Sequence, residues 1–521
     1  MTRPPGRSAL AAPPRAEDRL AGPVFDLLLL VAGLALPLAF APWGWFPVAW
    51  VALVPLLAVT ADPRAGRRFR RGLLFGLGLF GFGLHWLLPT IHTFGNMPLV
   101  LAVPTWLLLV AYCALYPALF AALGGRVGGS PAARLLVGLP LLWVALEGLR
   151  GVLFTGFPWL TLGVSQLPGP LAGLFPVAGA LGAGLVVVAL NGALVLSWRQ
   201  AEAGEWPRAV AVLGLGGLLV GAGALVDRVP WSQPQGAAFE AALVQGAVPQ
   251  TAKWDPERRE AILARYRQLS REHLDAGAVI WPETAVPVFA DQMAGPLGTL
   301  FDAARRAGTT MVAGVPERAH AGGSKHYFNS VVTHGPGGGA RYRKRHLVPF
   351  GEYVPLRELL FFAEKFVPGS GTFRPGTDPA PLTVNGRAAG MSICYEDAFA
   401  AEVAATVRGG AEVLINVTND AWFGRTIGPD QHAQLARARA REMARPLLRV
   451  ANTGLTFATD HRGQVRSALP PDEPGVDRVR VQPRVGATPF QHVADWLPWG
   501  LVAAFAVYAL ISRRYRPKPV L

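Results

Sequence analysis

Cysteine is nearly absent: the chain of 521 residues holds two, Cys113 and Cys394. That count excludes a disulfide scaffold and leaves no cysteine-based zinc site supported. Charge is scarce as well. Asp, Glu, Lys and Arg make up 16% of the residues, where a soluble domain averages about 25%. Acidic residues are the scarcer sign, 34 against 49 basic ones, for a formal charge of +15. With a mean hydropathy of +0.31, this composition argues against a wholly soluble protein and against disorder. Hydrophobic residues are abundant at 51%. The length exceeds that of an ordinary single domain, so two or more units are expected. A basic excess fits either a nucleic-acid binder or a membrane protein with basic loops, and position decides between them.

Long apolar runs follow one another from Val24 to Val226, and most basic residues of that region lie between them. Spans are expected at roughly 24–41, 45–60, 72–90, 98–123, 133–150, 170–197 and 208–226, with an eighth at about 495–512. Each is near the roughly 20 residues that cross about 30 Å of hydrocarbon. The sixth is long and holds Pro176, so it is expected to tilt or to begin at the interface. The first run is read as a retained span rather than a cleaved signal. Arg3, Arg7, Arg15 and Arg19 lead the chain, Arg64, Arg67, Arg68, Arg70 and Arg71 fill the second connection, and Arg513, Arg514, Arg516 and Lys518 end it. Thr90–Pro98 has no Arg or Lys. Basic residues stay in the cytoplasm, which puts both termini inside and residues 228–494 outside. The basic residues are then topological anchors and not a nucleic-acid groove. The expected division is a disordered basic leader 1–22, a seven-span part 23–227, an extramembrane domain 228–494, a last span 495–512 and a basic tail 513–521.

Residues 228–494 read as an α/β layered domain, because short apolar strands alternate with amphipathic helices. Strands are expected at Ala238–Gln245, Ala278–Trp281, Thr309–Val315, Phe328–Thr333, Ala388–Ile393 and Glu412–Val417. Helices are expected from Asp255, a cap followed by Pro256, to Leu274, and at Leu297–Ala307, Glu396–Arg408 and Pro429–Arg445. Gly335–Gly339 reads as a hairpin tip. No internal repeat is evident.

Three positions carry chemistry. Cys394 ends the strand Met391-Ser392-Ile393 just before a helix, where a sharp turn exposes a side chain and a helix dipole favours a thiolate. A buried structural cysteine is the plain alternative. Glu283 follows Val279-Ile280-Trp281-Pro282 at a strand end, where α/β sites form, and a carboxylate near a thiol accepts its proton. A solvated or capping glutamate is the plain alternative. Lys344 lies in Tyr342-Arg343-Lys344-Arg345-His346, either as a surface cation or as the charge that stabilises an oxyanion.

Taken in order, WPE, YxKxHLxPFGE and CYE resemble the nitrilase (carbon–nitrogen hydrolase) superfamily. With Val244-Gln245-Gly246, Leu347-Val348-Pro349-Phe350-Gly351-Glu352-Tyr353-Val354-Pro355, Ser392-Ile393-Cys394-Tyr395-Glu396 and Thr418-Asn419-Asp420-Ala421-Trp422-Phe423-Gly424, the chain resembles that superfamily's membrane-bound branch, the apolipoprotein N-acyltransferase family. The membrane words are Thr93-Phe94-Gly95 and Thr155-Gly156-Phe157-Pro158-Trp159. The likeness spans about residues 24–512. It implies about eight transmembrane helices plus an extramembrane nitrilase-like αββα sandwich. It implies Glu283 as general base, Lys344 as stabiliser of the tetrahedral intermediate and Cys394 as nucleophile. Glu352 would position Lys344, Tyr395 and Glu396 would shape the site, Trp254 and Asn329 would lie near it, and Trp422 and Phe423 would belong to a loop over the acyl chain.

The implied reaction is ping-pong. Cys394 takes the sn-1 acyl chain of a phospholipid, typically phosphatidylethanolamine, and passes it to the amine of the S-diacylglyceryl-cysteine of an apolipoprotein. No metal or cofactor is implied, since the donor is already an ester. The implied location is the bacterial inner membrane with the catalytic domain on the periplasmic side. A membrane-anchored amidase and a non-catalytic scaffold are the other classes, and a transporter is disfavoured by the few intramembrane charges. Glu147 and Arg150 are the conspicuous pair, read as an i, i+3 ion pair ahead of a headgroup contact. The Asn416 sequon is expected in a buried strand.

Overall fold

The computed structural model describes residues 22–321, 324–355, 358 and 373–513. The expected leader (but for Gly22) and the tail beyond Arg513 lie outside the described residues.

Among the described residues, four helices are long and apolar enough to cross a membrane: Leu99–Gly124, Pro131–Arg150, Pro170–Glu202 and Trp206–Val226. A fifth span results if Ala65–Gly83 and Leu87–Phe94, bent by 64°, count as one. The other expected spans form shorter apolar helices, Pro23–Ala39, Phe46–Val59 and Leu497–Ser512. Proline explains two of the shortfalls. It has no N–H to continue a helical ladder, and Pro37 and Pro47 each lie in short 3-10 turns rather than α-helix. The sixth run opens with a 3-10 turn at Pro170–Leu174 and breaks at Gly179, where φ is +64°. Close backbone approach holds the bundle. A Cβ on Gly72 would come 2.4 Å from the Pro117 carbonyl oxygen, so the helices meet through a small residue.

One end of the bundle gathers the basic connections. Arg71 pairs with Asp26 and Asp62, Arg134 donates to the Thr60 and Gly124 carbonyls, and the Tyr508 hydroxyl donates to the Gly128 carbonyl. The opposite ends meet the α/β half at Ala41, Trp86, Gly156, Trp159 and Ala180. Chain alternation through the bundle therefore separates the arginine-rich connections from the α/β half.

That half is built on β1 (Gln233–Pro234), β2 (Phe239–Gln245), β3 (Ala278–Ile280), β4 (Thr310–Ala321), β5 (Ser324–Gly335), β6 (Gly338–Arg343), β7 (Leu382–Val384), β8 (Arg387–Ile393), β9 (Val413–Thr418), β10 (Leu447–Ala451), β11 (Phe457–Thr459), β12 (Val465–Ala468), β13 (Gly475–Val481) and β14 (Arg484–Val485). Two six-stranded sheets form, β13-β2-β3-β4-β5-β6 and β12-β11-β10-β9-β8-β7. Side chains alternate along a strand. In β2, Phe239, Ala241 and Leu243 therefore enter the core between the sheets with Ile393, Ile415 and Val450. Ala242 and Val244 face the other way, toward helices Arg259–Arg271 and Ala294–Ala307. Helices Ala400–Arg408 and Gly428–Met443 cover the second sheet. The layers are α, β, β, α.

The expected strands all form, and β5 and β6 turn at Pro336-Gly337 within the expected tip. The helix from Asp255 begins as a 3-10 turn, with the Asp255 carboxylate accepting from the Glu257 N–H at 3.0 Å. The helix expected over Glu396–Arg408 is split. A 3-10 turn runs Cys394–Ala398, Phe399 is extended, and the α-helix starts at Ala400. Helix Gly428–Met443 is enclosed between the second sheet and the membrane part. The Trp86 and Trp159 indoles both donate to Gln431 Oε1, at 3.0 and 2.7 Å, and the Ala180 N–H donates to Glu442 at 2.9 Å.

Candidate active site

Three strand ends deliver the charged and nucleophilic groups. Glu283 lies three residues beyond β3, Lys344 directly follows β6, and Cys394 directly follows β8. The chain around Glu283 is tightly fitted: a Cβ on Gly314 would lie 2.4 Å from the Pro282 carbonyl oxygen and 2.6 Å from the Glu283 Cα. Cys394 has φ +52°, a left-handed conformation costly for any residue but glycine. The chain therefore turns out of the strand line at Cys394.

Lys344 is 1% exposed. Its ammonium donates to both oxygens of Glu352, at 2.9 and 3.1 Å, and stands 3.9 Å from Glu283. The Asn329 amide donates to Glu283 at 2.7 Å and to Glu352 at 2.8 Å. The Val348 N–H also donates to Glu352, at 2.8 Å. One carboxylate is thus saturated and the other is held by one amide. Burial raises the Glu283 carboxyl above its usual range, and the Lys344 charge only partly reverses this. Burial works against the Lys344 ammonium, but Glu352 and Glu283 outweigh it and hold the charge. Burial raises the Cys394 thiol well above its ordinary value, with Glu283 adding to the rise and Lys344 opposing it. The thiolate expected from a helix dipole is therefore corrected: an α-helix does not begin at Cys394, and burial favours the thiol. Glu283, whose charge adds to that rise, is a carboxylate of raised basicity, the property a proton acceptor needs.

The other named residues divide. Asn329 and Glu352 join the carboxylate and ammonium cluster. Glu396, 1% exposed, fastens the elbow: its carboxylate accepts from the Tyr342 hydroxyl at 2.9 Å and from the N–H groups of Ile393, Arg345 and His346 at 2.7, 2.6 and 3.2 Å. Tyr395 turns toward the membrane part, its hydroxyl donating to the Gly156 carbonyl at 3.0 Å. Phe423 packs edge-on against Trp86 at 4.7 Å, whereas Trp422 is 40% exposed and meets Phe94 at 6.3 Å. Trp254 is 54% exposed.

Residues 32–193 match the family described as apolipoprotein N-acyltransferase N-terminal domain, and residues 240–490 match carbon-nitrogen hydrolase. The apolipoprotein N-acyltransferase of Methylococcus capsulatus is 40% identical over 495 residues, 94% of this chain and 96% of that protein. The chain belongs to the apolipoprotein N-acyltransferase family. The Photobacterium profundum and Vibrio cholerae members are 36% and 37% identical, over 94% and 91% of this chain and 96% and 95% of theirs.

Two features of this acyltransferase-family site were not read from the sequence. Lys253 is fully buried beside Glu283, and its ammonium has no hydrogen-bond partner among the described residues. Burial lowers its pKa to about 8 although Glu283 opposes this. Beside Trp254 in the sequence, a lone lysine in a loop carries no signal of this. The second feature is a fully buried charge cluster of His432, Asp397, Asp420 and Arg449 beneath Cys394. Only the Asn-Asp of the TNDAWFG word pointed to it. Among the described residues no group of His, Cys, Asp and Glu is arranged to hold a metal ion. In the membrane part, Glu147 and Arg150 lie 3.9 Å apart as the expected i, i+3 pair. Arg150 also donates to the Phe157 and Trp159 carbonyls at 2.6 Å each, and the Leu162 N–H donates to Glu147 at 2.8 Å. The pair thus braces the loop that reaches Tyr395. Asn416 is fully buried in β9.

Proposed function

We propose that the chain transfers the sn-1 acyl chain of a phospholipid, phosphatidylethanolamine by preference, to the N-terminal amine of the S-diacylglyceryl-cysteine of apolipoproteins. Glu283, Lys344 and Cys394 carry the reaction. Glu283 takes the thiol proton as Sγ attacks the ester carbonyl, and the oxyanion forms against the Lys344 ammonium. The ester C–O bond breaks, Glu283 returns the proton to the glycerol oxygen, and a lysophospholipid leaves a thioester. The neutral acceptor amine then attacks the thioester. Glu283 takes a proton from nitrogen and gives it to the departing sulfur, which restores the thiol and completes the amide.

The observation that carries this reading is the join between nucleophile and membrane part. Tyr395, next to Cys394, donates to Gly156, and Trp159 of the same loop stacks on Tyr395 at 6.4 Å. An amidase for small soluble amides has no use for such a join. Both substrates here are lipids confined to the bilayer, and a site braced on membrane helices meets them there. Counting the three shorter apolar helices and the bent pair as spans gives eight, which puts 228–494 on the periplasmic side of the inner membrane under the arginine rule. The division at about 23, 228 and 495 follows from the same count.

The test is a transfer assay in mixed micelles. Full-length protein receives phosphatidylethanolamine and a diacylglyceryl lipopeptide with a free amine. The reading expects an N-acylated peptide and one lysophospholipid per turnover. Hydrolysis of small amides without lipopeptide acylation would replace it with the anchored-amidase reading.

A further inference from the structure

His432 lies on helix Gly428–Met443, one residue after the glutamine that accepts from the two membrane-side indoles. Its ring is fully buried. Nδ1 lies 2.9 Å from Asp420 Oδ1, and Nε2 lies 3.0 Å from Asp397 Oδ1 and 3.2 Å from the carbonyl oxygen of Cys394. Carboxylates and carbonyls only accept, so both ring nitrogens have acceptors to supply. Arg449 is the other cation in the cluster, at 2.7 Å from Asp397 and 3.0 Å from Asp420, and its Nη2 comes within 2.8 Å of Nδ1. Arg449 opposes a second positive charge. Charge balance favours it: two buried carboxylates and one guanidinium leave a net negative charge, and an imidazolium brings the sum to zero. The ring lies tilted by 34° against Trp159 at 5.6 Å and perpendicular to Phe423 at 5.7 Å, which wall it off from solvent.

We propose that His432 is a positioning residue of this site, an imidazolium that clamps the Cys394 carbonyl and holds the nucleophile in its left-handed elbow. The role rests on Cys394 as the reacting thiol. Cys394 stays at φ +52° only while its surroundings over-determine it. Glu396 fastens the turn from one side through the Ile393 N–H, and His432 fastens it from the other through the Cys394 carbonyl. The peptide unit is planar. Fixing that carbonyl therefore also fixes the direction of the Tyr395 N–H, on the side opposite His432. Burial disfavours the charged ring and Arg449 adds to this, but Asp397 and Asp420 outweigh them and hold the pKa at about 9. Asp397, Asp420 and Arg449 are the titratable and charged groups that face the ring, from the turns at 394–398 and 420–423 and from β10.

Two measurements test the clamp on the full-length protein in detergent. Histidine C2 hydrogen exchange followed by mass spectrometry reads the unmodified chain and needs no phospholipid. The clamp expects His432 to exchange far more slowly than the exposed His85 and His92 and to titrate above pH 8. Titration near the ordinary histidine value of about 6.5 would overturn the imidazolium. The second measurement compares His432→Leu with His432→Gln, which keeps a donor. A small misplacement of a reacting atom costs up to about a hundredfold in rate. His432→Leu should thus acylate Cys394 some 10- to 100-fold more slowly at unchanged KM, with faster amide exchange in the peptide covering 391–399 and none in helix Arg259–Arg271. His432→Gln should recover most of both. Wild-type elbow exchange in His432→Leu, or equal losses in both variants, would overturn the clamp. The exchange readouts judge it whether or not the chain transfers acyl groups, so failure of the clamp and failure of the acyl-transfer reading remain distinguishable.

Discussion

Glu352→Gln separates two jobs of the buried ammonium. In the native site Lys344 leans on Glu352 at 2.9 Å and stands off Glu283 at 3.9 Å. The substitution keeps the side chain's shape and an acceptor for the Val348 N–H, and it removes the charge. Glu283 is then the remaining carboxylate partner, and the ammonium closes on it. At an effective dielectric of 20, closing from 3.9 to about 2.9 Å strengthens that pair by roughly 1.5 kcal/mol. One pKa unit is about 1.4 kcal/mol, so Glu283 loses about one unit of basicity. The loss of the Glu352 charge, which also raises Glu283, acts in the same direction. The acid limb of the Cys394 acylation rate therefore moves to lower pH by about one unit or more. The plateau falls as well, because an ammonium drawn to the base no longer meets the oxyanion. Losing such a donor costs about 10²–10³ in rate. Stopped-flow acylation with a fluorescent phospholipid across pH 4 to 9 reads both. A lowered plateau with an unmoved or raised acid limb would refute the division of labour between the two glutamates.

Glu283→Gln should reduce acyl transfer by about 10²–10⁴ yet speed alkylation of Cys394 by iodoacetamide at neutral pH. The Glu283 charge adds to the rise of the thiol pKa, so removing it lowers that pKa and enlarges the thiolate fraction; equal slowing of both reactions would contradict this. In the wild type, alkylation should be slow at pH 8 and still climbing above the ordinary thiol range, and a plateau below pH 8 would show a preformed thiolate. Gln431→Leu strands the Trp86 and Trp159 N–H groups at the junction of the two halves. An unsatisfied buried donor costs about 1–3 kcal/mol, so thermal unfolding of the full chain should shift clearly downward, and an unchanged Tm would remove Gln431 from the join.

The catalytic half was largely legible because its central strands are short apolar runs buried on both faces and its motifs sit at strand ends. WPE, YxKxHLxPFGE and CYE named the family and led to the residues that cluster around Lys344. The late strands β10 to β13 were not read. Arg449, in the middle of β10, is a charge in a fully buried position and breaks the apolar pattern a reader searches for. The helix dipole at Cys394 was misjudged for a local reason: Phe399 is extended, so the helical pattern over 396–408 conceals a break. In the membrane part, apolar length revealed the runs, but Pro37 and Pro47 shorten the helices inside them. His432 and Lys253 stayed hidden because the charged groups around them are distant in sequence.

Acyl capture on Cys394 tests the central claim most directly. Detergent-purified full-length protein is mixed with phosphatidylethanolamine labelled in the sn-1 chain, and protein-bound label is located by mass spectrometry. The account predicts a hydroxylamine-sensitive acyl group on Cys394, absent in Cys394→Ala and discharged by a diacylglyceryl lipopeptide. Label on another residue, or no label from folded protein whose Cys394 is alkylated by iodoacetamide, would contradict it.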